Sequence, residues 1–358
     1  NGQSQHRHVT LDCGKTKDAA RYTRELCEAI CQGLIRQKDL DRTGLMCMGE
    51  IDVMTAEGED REDWQETEHD EDEVDPEFAS DDVTGEPLDP QLVREARKLE
   101  IQYVHDMKLY HKVPRSECIK AGCKAITTRW IDVNKGDTQN KNYRSRLVAR
   151  EIKKNNRPDL FAATPPLEAL RLLVSDAATI EPGRQRKLIM TNDVSRAYFY
   201  APAIREVYIE IPKEDWEEGD EDRVAKLDMS MYGTRDAAKN WQECYTSHLE
   251  SIGFIAGVAN PCLFVNHNHK LKTLVHGDDY VTTGSREGLK WMKGELEKKF
   301  KIKTSIIGSE EEDEKELKIL NRIIRMTPKG IEYEADLRHA ELISGEMLVS
   351  DSKGVDTP

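Results

Sequence analysis

Leu271-Lys272-Thr273-Leu274-Val275-His276-Gly277-Asp278-Asp279-Tyr280-Val281-Thr282-Thr283-Gly284 is the stretch on which the architecture of this chain turns. Apolar and β-branched residues fill 273–275 and 280–282, while a glycine and two aspartates lie between them, so the pattern predicts two strands around a tight turn. Ser285 follows as a helix N-cap, and Leu289, Met292, Leu296 and Phe300 recur behind it at helical spacing. Upstream, residues 187–190 predict another strand, and it leads to Asp193. If these strands are neighbours in one sheet, Asp193, Asp278 and Asp279 converge. Such carboxylates offer the hard oxygen ligands that Mg²⁺ prefers, and a pair of ions so held can serve an in-line phosphoryl displacement. On spacing alone, an Asp-Asp pair in a hairpin is more often ordinary turn chemistry.

Working outward, helical and strand patterns alternate. Leu92, Ala96, Leu99, Tyr103, Val104 and Met107 predict a helix over 90–110, which Pro114 closes. Residues 125–133 and 143–149 read as strands of a basic hairpin turned at Lys135-Gly136-Asp137. Residues 168–178 read as a helix, and Asp236 opens another through Trp241, Tyr245, Leu249 and Ile252. A last hairpin, 317–326 and 331–335, turns at Pro328-Lys329-Gly330. Near the start, Ala19, Tyr22, Leu26, Ile30 and Leu34 suggest one helix over 15–38. Gly14-Lys15-Thr16 is not a phosphate-binding loop, because Val9 stands where the earlier glycine is needed.

The chain has 358 residues, 37% of them hydrophobic, which suffices for a core, and a net charge of −15. Such acidity would ordinarily argue against a nucleic-acid partner. Its distribution reverses the argument: residues 57–86 hold 16 acidic residues and one basic one, so the remainder sums to zero. That run predicts a disordered linker, with folded structure beginning near Pro90. Residues 135–157 carry eight basic and two acidic residues and could seat on phosphates, although a solvated loop is the plain alternative. The eight cysteines show neither zinc-site spacing nor the density of a secreted disulfide scaffold, which suits a reducing compartment and a protein that is not secreted. No stretch approaches the ~20 apolar residues of a membrane helix, so no membrane partner is expected. A start at Asn1 rather than Met suggests a piece of a larger translation product.

A series of blocks occurs in order along the chain. They are Tyr143-Arg144-Ser145-Arg146-Leu147-Val148-Ala149-Arg150, the helical stretch 165–173, Asp193-Val194-Ser195-Arg196-Ala197-Tyr198 and Glu206-Val207-Tyr208-Ile209-Glu210-Ile211-Pro212. Met231-Tyr232-Gly233-Thr234-Arg235-Asp236-Ala237-Ala238-Lys239-Asn240-Trp241 and Asn260-Pro261-Cys262-Leu263-Phe264 follow. From about residue 95 onward this series resembles the reverse transcriptases of copia-type LTR retrotransposon polyproteins. The resemblance implies an α+β fold, the fingers and palm of a right-hand polymerase, with a mostly antiparallel palm sheet backed by helices. It would cover residues 90–358, including the start of a connection region. Residues 57–89 would be the acidic disordered linker, and residues 1–56 the partly helical remnant of a preceding polyprotein region.

By the same resemblance, Asp193, Asp278 and Asp279 would be catalytic carboxylates binding two Mg²⁺ ions of an RNA-directed DNA polymerase. Tyr198 would lie under the incoming sugar, leaving no room for a 2′-hydroxyl; its plain alternative is a core tyrosine. Arg146, with Arg144 or Arg150 as substitutes, would grip the triphosphate through the guanidinium fork. The implied partners are an RNA or DNA template with primer, deoxynucleoside triphosphates and other segments of the same polyprotein, in a cytoplasmic virus-like particle or the nucleus. The chain departs from the family where His276-Gly277 replaces Tyr-Val and where Asp236 and Ala238 replace Gln and Pro. Read as decay, Gly277 would loosen the turn that aims Asp278, and Asp236 would repel a triphosphate. A catalytically decayed relic that keeps the fold, and a two-metal nuclease, therefore stand beside the polymerase.

Overall fold

Asp89 accepts the backbone N–H groups of Gln91 (3.0 Å) and Leu92 (3.3 Å), and Pro90 takes the first helical position, so helix α1 (Pro90–Asp106) begins where its sequence predicts. The computed structural model describes residues 76–137, 139–152, 160, 162–180 and 186–334, all of them in the unit Asp70–His339. The helix expected over 15–38, the cysteines and the glycine-lysine pair before residue 57, and most of the acidic run lie outside the described residues.

α1 is shorter than its periodicity suggests. Lys108, at φ 51°, turns the chain out of the helix and into strand β1 (Tyr110–Pro114), a short charged strand that apolar periodicity does not reveal. After helix α2 (Arg115–Lys120), strands β2 (Thr128–Asn134) and β3 (Tyr143–Ala149) pair antiparallel, from Thr128 opposite Ala149 to Asn134 opposite Tyr143. Arg97 of α1, buried to 1% exposure, bonds Asp132 of β2 (2.7 Å) and Glu214 (2.8 Å), which locks the helix onto the hairpin.

Folded structure starts before Pro90, contrary to the linker boundary read from charge. Asp81 is buried, and its carboxylate accepts the N–H groups of Val83 (2.8 Å), Thr84 (3.0 Å) and Asn134 (2.7 Å). Asp82 accepts the N–H of Asp132 (2.8 Å). Both carboxylates accept backbone N–H groups, and that of Asp81 does so out of solvent, a distinction that composition cannot make.

The remaining elements are helix α3 (Leu167–Ala178), strands β4 (Leu188–Val194), β5 (Tyr208–Ile209) and β6 (Arg223–Leu227), helix α4 (Ala237–Ser251), strands β7 (Ile255–Ala256), β8 (Leu263–Asn266), β9 (Leu271–His276) and β10 (Asp279–Gly284), helix α5 (Arg286–Glu297) and strand β11 (Ile302–Ile307). Strands β11-β4-β10-β9-β8-β7 form one sheet in that order, with every neighbouring pair antiparallel. Both faces are covered. Leu188, Met190 and Val194 join Trp241, Tyr245 and Leu249 of α4 and Leu289, Met292 and Leu296 of α5 in one core. Ile189, Leu274, Val281 and Ile307 pack on the other face against Leu170, Leu173 and Ala177 of α3. Burial on two faces explains why β4 begins as an unbroken Leu-Ile-Met run instead of alternating. Ser285 caps α5 as its sequence predicts, accepting the N–H of Gly288 (3.2 Å).

A separate sheet, β1-β6-β5, and the β2–β3 hairpin share a core of Val104, Leu109, Trp130, Leu147, Phe199, Ile209 and Ala225. The run 317–326 is not one strand. It divides into β12 (Glu316–Ile319) and β13 (Arg322–Thr327) at Leu320 and Asn321, both left-handed (φ 46° and 61°), while β14 (Gly330–Glu334) follows the turn expected at Pro328-Lys329-Gly330. Leu-Asn is a weak signal for such a turn, which Asn-Gly ordinarily marks.

Candidate active site

The β9–β10 hairpin turns on two residues, Gly277 and Asp278, with His276 paired to Asp279 across it. Gly277 lies at φ 62°, the positive-φ first position typical of a tight type II′ hairpin turn, and donors on both sides hold the turn. The indole N–H of Trp241, a buried residue of α4, donates to the Gly277 carbonyl (2.7 Å), and the Val194 N–H donates to the Asp278 carbonyl (3.0 Å). In register, Asp279 lies opposite Asp193 of β4, and Asp193 opposite Lys303 of β11. Lys303, Asp193, Asp279 and His276 thus form one row across four strands. Directly opposed residues share a face, so Asp193 and Asp279 are close neighbours.

The carboxylates burden one another electrostatically. Partial burial, then the charge of Asp278, raises the proton affinity of Asp193, against the opposing pull of Arg144, Lys303 and Arg146. Asp279 is pushed up to about 6, first by burial and then by the charges of Asp278 and Asp193. Asp278 is therefore the charge that both others feel. Among the described residues no group of three or more histidine, cysteine, aspartate or glutamate side chains forms a cation cage. The expected convergence is one of neighbourhood and charge, not of a finished ligand shell. Mg²⁺ is commonly held by one or two carboxylates plus waters and substrate phosphates, so the donor set suits it.

The raised Asp279 gives a pH dependence whose sign can be worked out. A carboxyl that binds its proton more tightly folded than unfolded favours the fold fully below its ordinary value of 3.8, and that contribution is lost as pH rises through about 6. Relative to Asp279→Asn, the unaltered chain should lose ~1 kcal/mol between those limits, after allowance for solvent screening. Urea titrations of both proteins from pH 4 to pH 7 check this, and parallel pH profiles would show that Asp279 carries no such strain.

The arginines of β3 and the one that follows it divide into two groups. Arg144 and Arg146 both act on Asp193. Burial, and then Arg146, lowers the proton affinity of Arg144. The Arg146 guanidinium lies 4.7 Å over the ring of Tyr232. Arg150 is elsewhere: it lines a groove of about 510 Å³ with Lys124, Glu151, Arg205 and Arg235. Tyr198 occupies a 3-10 turn, Ala197–Tyr200, directly after β4, and its ring meets that of Tyr232 at 4.7 Å. Half-buried against the sheet's core, it also lies within reach of the carboxylates: burial, and then the charge of Asp278, raises its phenol's proton affinity.

Two apparent marks of decay have structural explanations. At φ 62°, Gly277 suits its turn and a valine would be strained, so the glycine orders the turn instead of loosening it. Asp236 is buried and pairs with Arg205 (2.9 Å) and Asn240 (3.1 Å), while Glu151 joins the same guanidinium; its charge is spent on structure. Restoring the family residues should therefore cost stability. We expect Gly277→Val and Asp236→Gln each to destabilise by ~1–2 kcal/mol, read as a lower urea midpoint at unchanged slope. An unchanged midpoint in both would revive the reading of decay.

Sequence reasoning missed three participants. Lys303 is visible only once β11 is in register with β4. Tyr232 and Trp241 stand within a quoted block, but nothing local shows which ring or carbonyl each meets.

This antiparallel sheet, backed by helices and carrying clustered carboxylates at one end, is an α+β, polymerase-like arrangement. Residues 117–310 match the reverse transcriptase (RNA-dependent DNA polymerase) family, and the chain belongs to it. It is 25% identical over 191 residues to the retrovirus-related Pol polyprotein from transposon TNT 1-94 of Nicotiana tabacum, covering 51% of this chain and 14% of that polyprotein. The corresponding polyproteins from transposons RE1 and RE2 of Arabidopsis thaliana are 29% and 27% identical, over 48% and 51% of this chain. The matches span only 12% of each of these two polyproteins. No helix among the described residues is long and apolar enough to cross a membrane.

Proposed function

We propose that the chain is the template-directed DNA polymerase segment of a copia-type retrotransposon polyprotein. In this reading the β2–β3 hairpin belongs to the fingers and the six-stranded sheet is the palm. The observation that carries it is that Asp193, paired with Asp279 in the β4–β10 register, is within electrostatic reach of Asp278 on one side and of Arg144 and Arg146 on another, so the carboxylates that would hold metal and the arginines that would hold phosphate are near one another. Asp193 and Asp278 would hold Mg²⁺, with Asp279 in support. Bound metal supplies charge neutralisation at the attacking and leaving oxygens of an in-line displacement.

The protein's own side chains would do the rest. Arg146 and Arg144 orient the triphosphate of a deoxynucleotide by charge-assisted hydrogen bonds. Tyr198 lies against the sugar and excludes a 2′-hydroxyl. The sheet and the Trp241 indole keep the turn carboxylates aimed while the primer's 3′-hydroxyl approaches the α-phosphate. Template, primer and the other polyprotein segments are the partners of this reading. Extension of a primed RNA template by the purified chain with Mg²⁺ tests it. Incorporation of deoxynucleotides supports the polymerase, binding without incorporation would favour the relic, and strand cutting would favour the nuclease.

A further inference from the structure

We propose that Tyr232 is a positioning residue that sets sugar discrimination and triphosphate grip together, by holding both Tyr198 and Arg146 against its ring; the inference rests on the polymerase reading above. Three separate stretches of chain meet at this ring. Arg146 comes from β3, with its guanidinium 4.7 Å from the Tyr232 centroid. Tyr198 comes from the turn after β4, with ring centroids 4.7 Å apart and planes at 46°. Phe199 closes the edge at 5.8 Å, and it is fully buried. A ring contacted by a cation and by a second ring restrains both partners.

The backbone fixes Tyr232 where it stands. Its carbonyl accepts the N–H of Ala149 (2.8 Å) at the end of β3, the strand that carries Arg146. Gly233 follows at φ 84°, with its α-carbon so close to the Ala149 carbonyl that a side chain there would collide with it. The Tyr198 turn opens at Arg196 in a left-handed conformation (φ 54°) and is anchored on its other sides by the Arg196–Glu100 ion pair (2.6 Å) and by buried Phe199, so the Tyr198 ring is the part left for an outside contact to restrain. Tyr232 supplies that contact from a rigid mount.

The phenol oxygen of Tyr232 is buried and has no hydrogen-bond partner among the described residues, and the same holds for Nε of Arg146. The contacts to Arg146 and Tyr198 are made by the ring. A residue that only filled space would affect folding; one whose ring restrains both Tyr198 and Arg146 alters two kinetic quantities at once. A looser Tyr198 admits ribonucleotides. A looser Arg146 weakens the nucleotide's hold and raises its KM.

The test is steady-state incorporation of a deoxynucleotide and its matching ribonucleotide on one primed template by the unaltered chain, Tyr232→Phe and Tyr232→Leu, with thermal melting in parallel. Tyr232→Phe should keep selectivity and KM within about twofold, because no hydroxyl bond is lost. Tyr232→Leu should lower the deoxy-over-ribo ratio of kcat/KM about tenfold and raise the deoxynucleotide KM by about the same factor, as expected for loss of one aromatic and one cation–π contact. If Tyr232→Leu fails to fold, Tyr232→Met gives the same comparison, since it keeps volume without an aromatic face. A folded, active Tyr232→Leu or Tyr232→Met with unchanged selectivity overturns the inference, as does a Tyr232→Phe that loses as much. An unaltered chain that incorporates neither nucleotide overturns the polymerase reading itself, and the inference with it.

Discussion

Asp193→Asn and Asp278→Asn should each lower Mg²⁺-dependent nucleotide addition by ~10³-fold or more, leaving primer-template binding and the melting transition close to those of the unaltered chain. Each substitution removes a charge but almost no volume, and a metal clamp on phosphoryl transfer contributes several kcal/mol at the transition state. The fold should tolerate the change. The Asp193 side chain reaches solvent, and the water it does lose, together with the charge of Asp278, already disfavours its ionised form. Asp279→Asn should cost less activity, because Asp278 is the carboxylate whose charge reaches both others. Single-turnover extension by the three variants, alongside melting curves, checks the order. Near-native addition by Asp193→Asn or Asp278→Asn would remove that residue from the metal site, whatever its position in the sheet.

Gly233→Ala is expected to have the largest effect on stability, ~3 kcal/mol or more. Two penalties coincide there. Gly233 sits at φ 84°, which an L side chain adopts only with strain, and a Cβ would overlap the Ala149 carbonyl oxygen. That oxygen is backbone at the end of β3, so it cannot swing aside as a flexible side chain would. Relief requires β3 to separate from the 232–233 segment, breaking the bond from the Ala149 N–H to the Tyr232 carbonyl. A strongly reduced urea midpoint is the expected reading. A midpoint within ~0.5 kcal/mol of the unaltered chain would mean that this junction is pliable and that Tyr232 is not rigidly mounted.

The elements around the carboxylates were legible because local chemistry and tertiary demand agree there. Ser285 caps α5 and the hairpin strands flank a Gly-Asp turn, and in each case the residue's intrinsic preference is the one the fold uses. Where the two diverge, periodicity misled. The run 317–326 is apolar enough for one strand, yet Leu320 and Asn321 turn it back on itself. Asp81 and Asp82 counted toward a solvated run, yet they cap the backbone of β2.

From sequence alone came the family resemblance, the α+β alternation and the identity of Asp193, Asp278, Asp279, Tyr198, Arg144, Arg146 and Arg150 as candidates, because these depend on residue type and order. Tertiary structure decided which of them share a space: Arg144 and Arg146 act on Asp193, whereas Arg150 lines a different groove. It also reversed the meaning of Gly277 and Asp236, one suited to a left-handed turn and the other paired with Arg205. The physical reason is that a backbone angle and a charge partner are properties of the assembled chain. A glycine costs order in a strand and provides it at positive φ, and a carboxylate repels phosphate in the open but serves as a counter-ion when a guanidinium is folded against it.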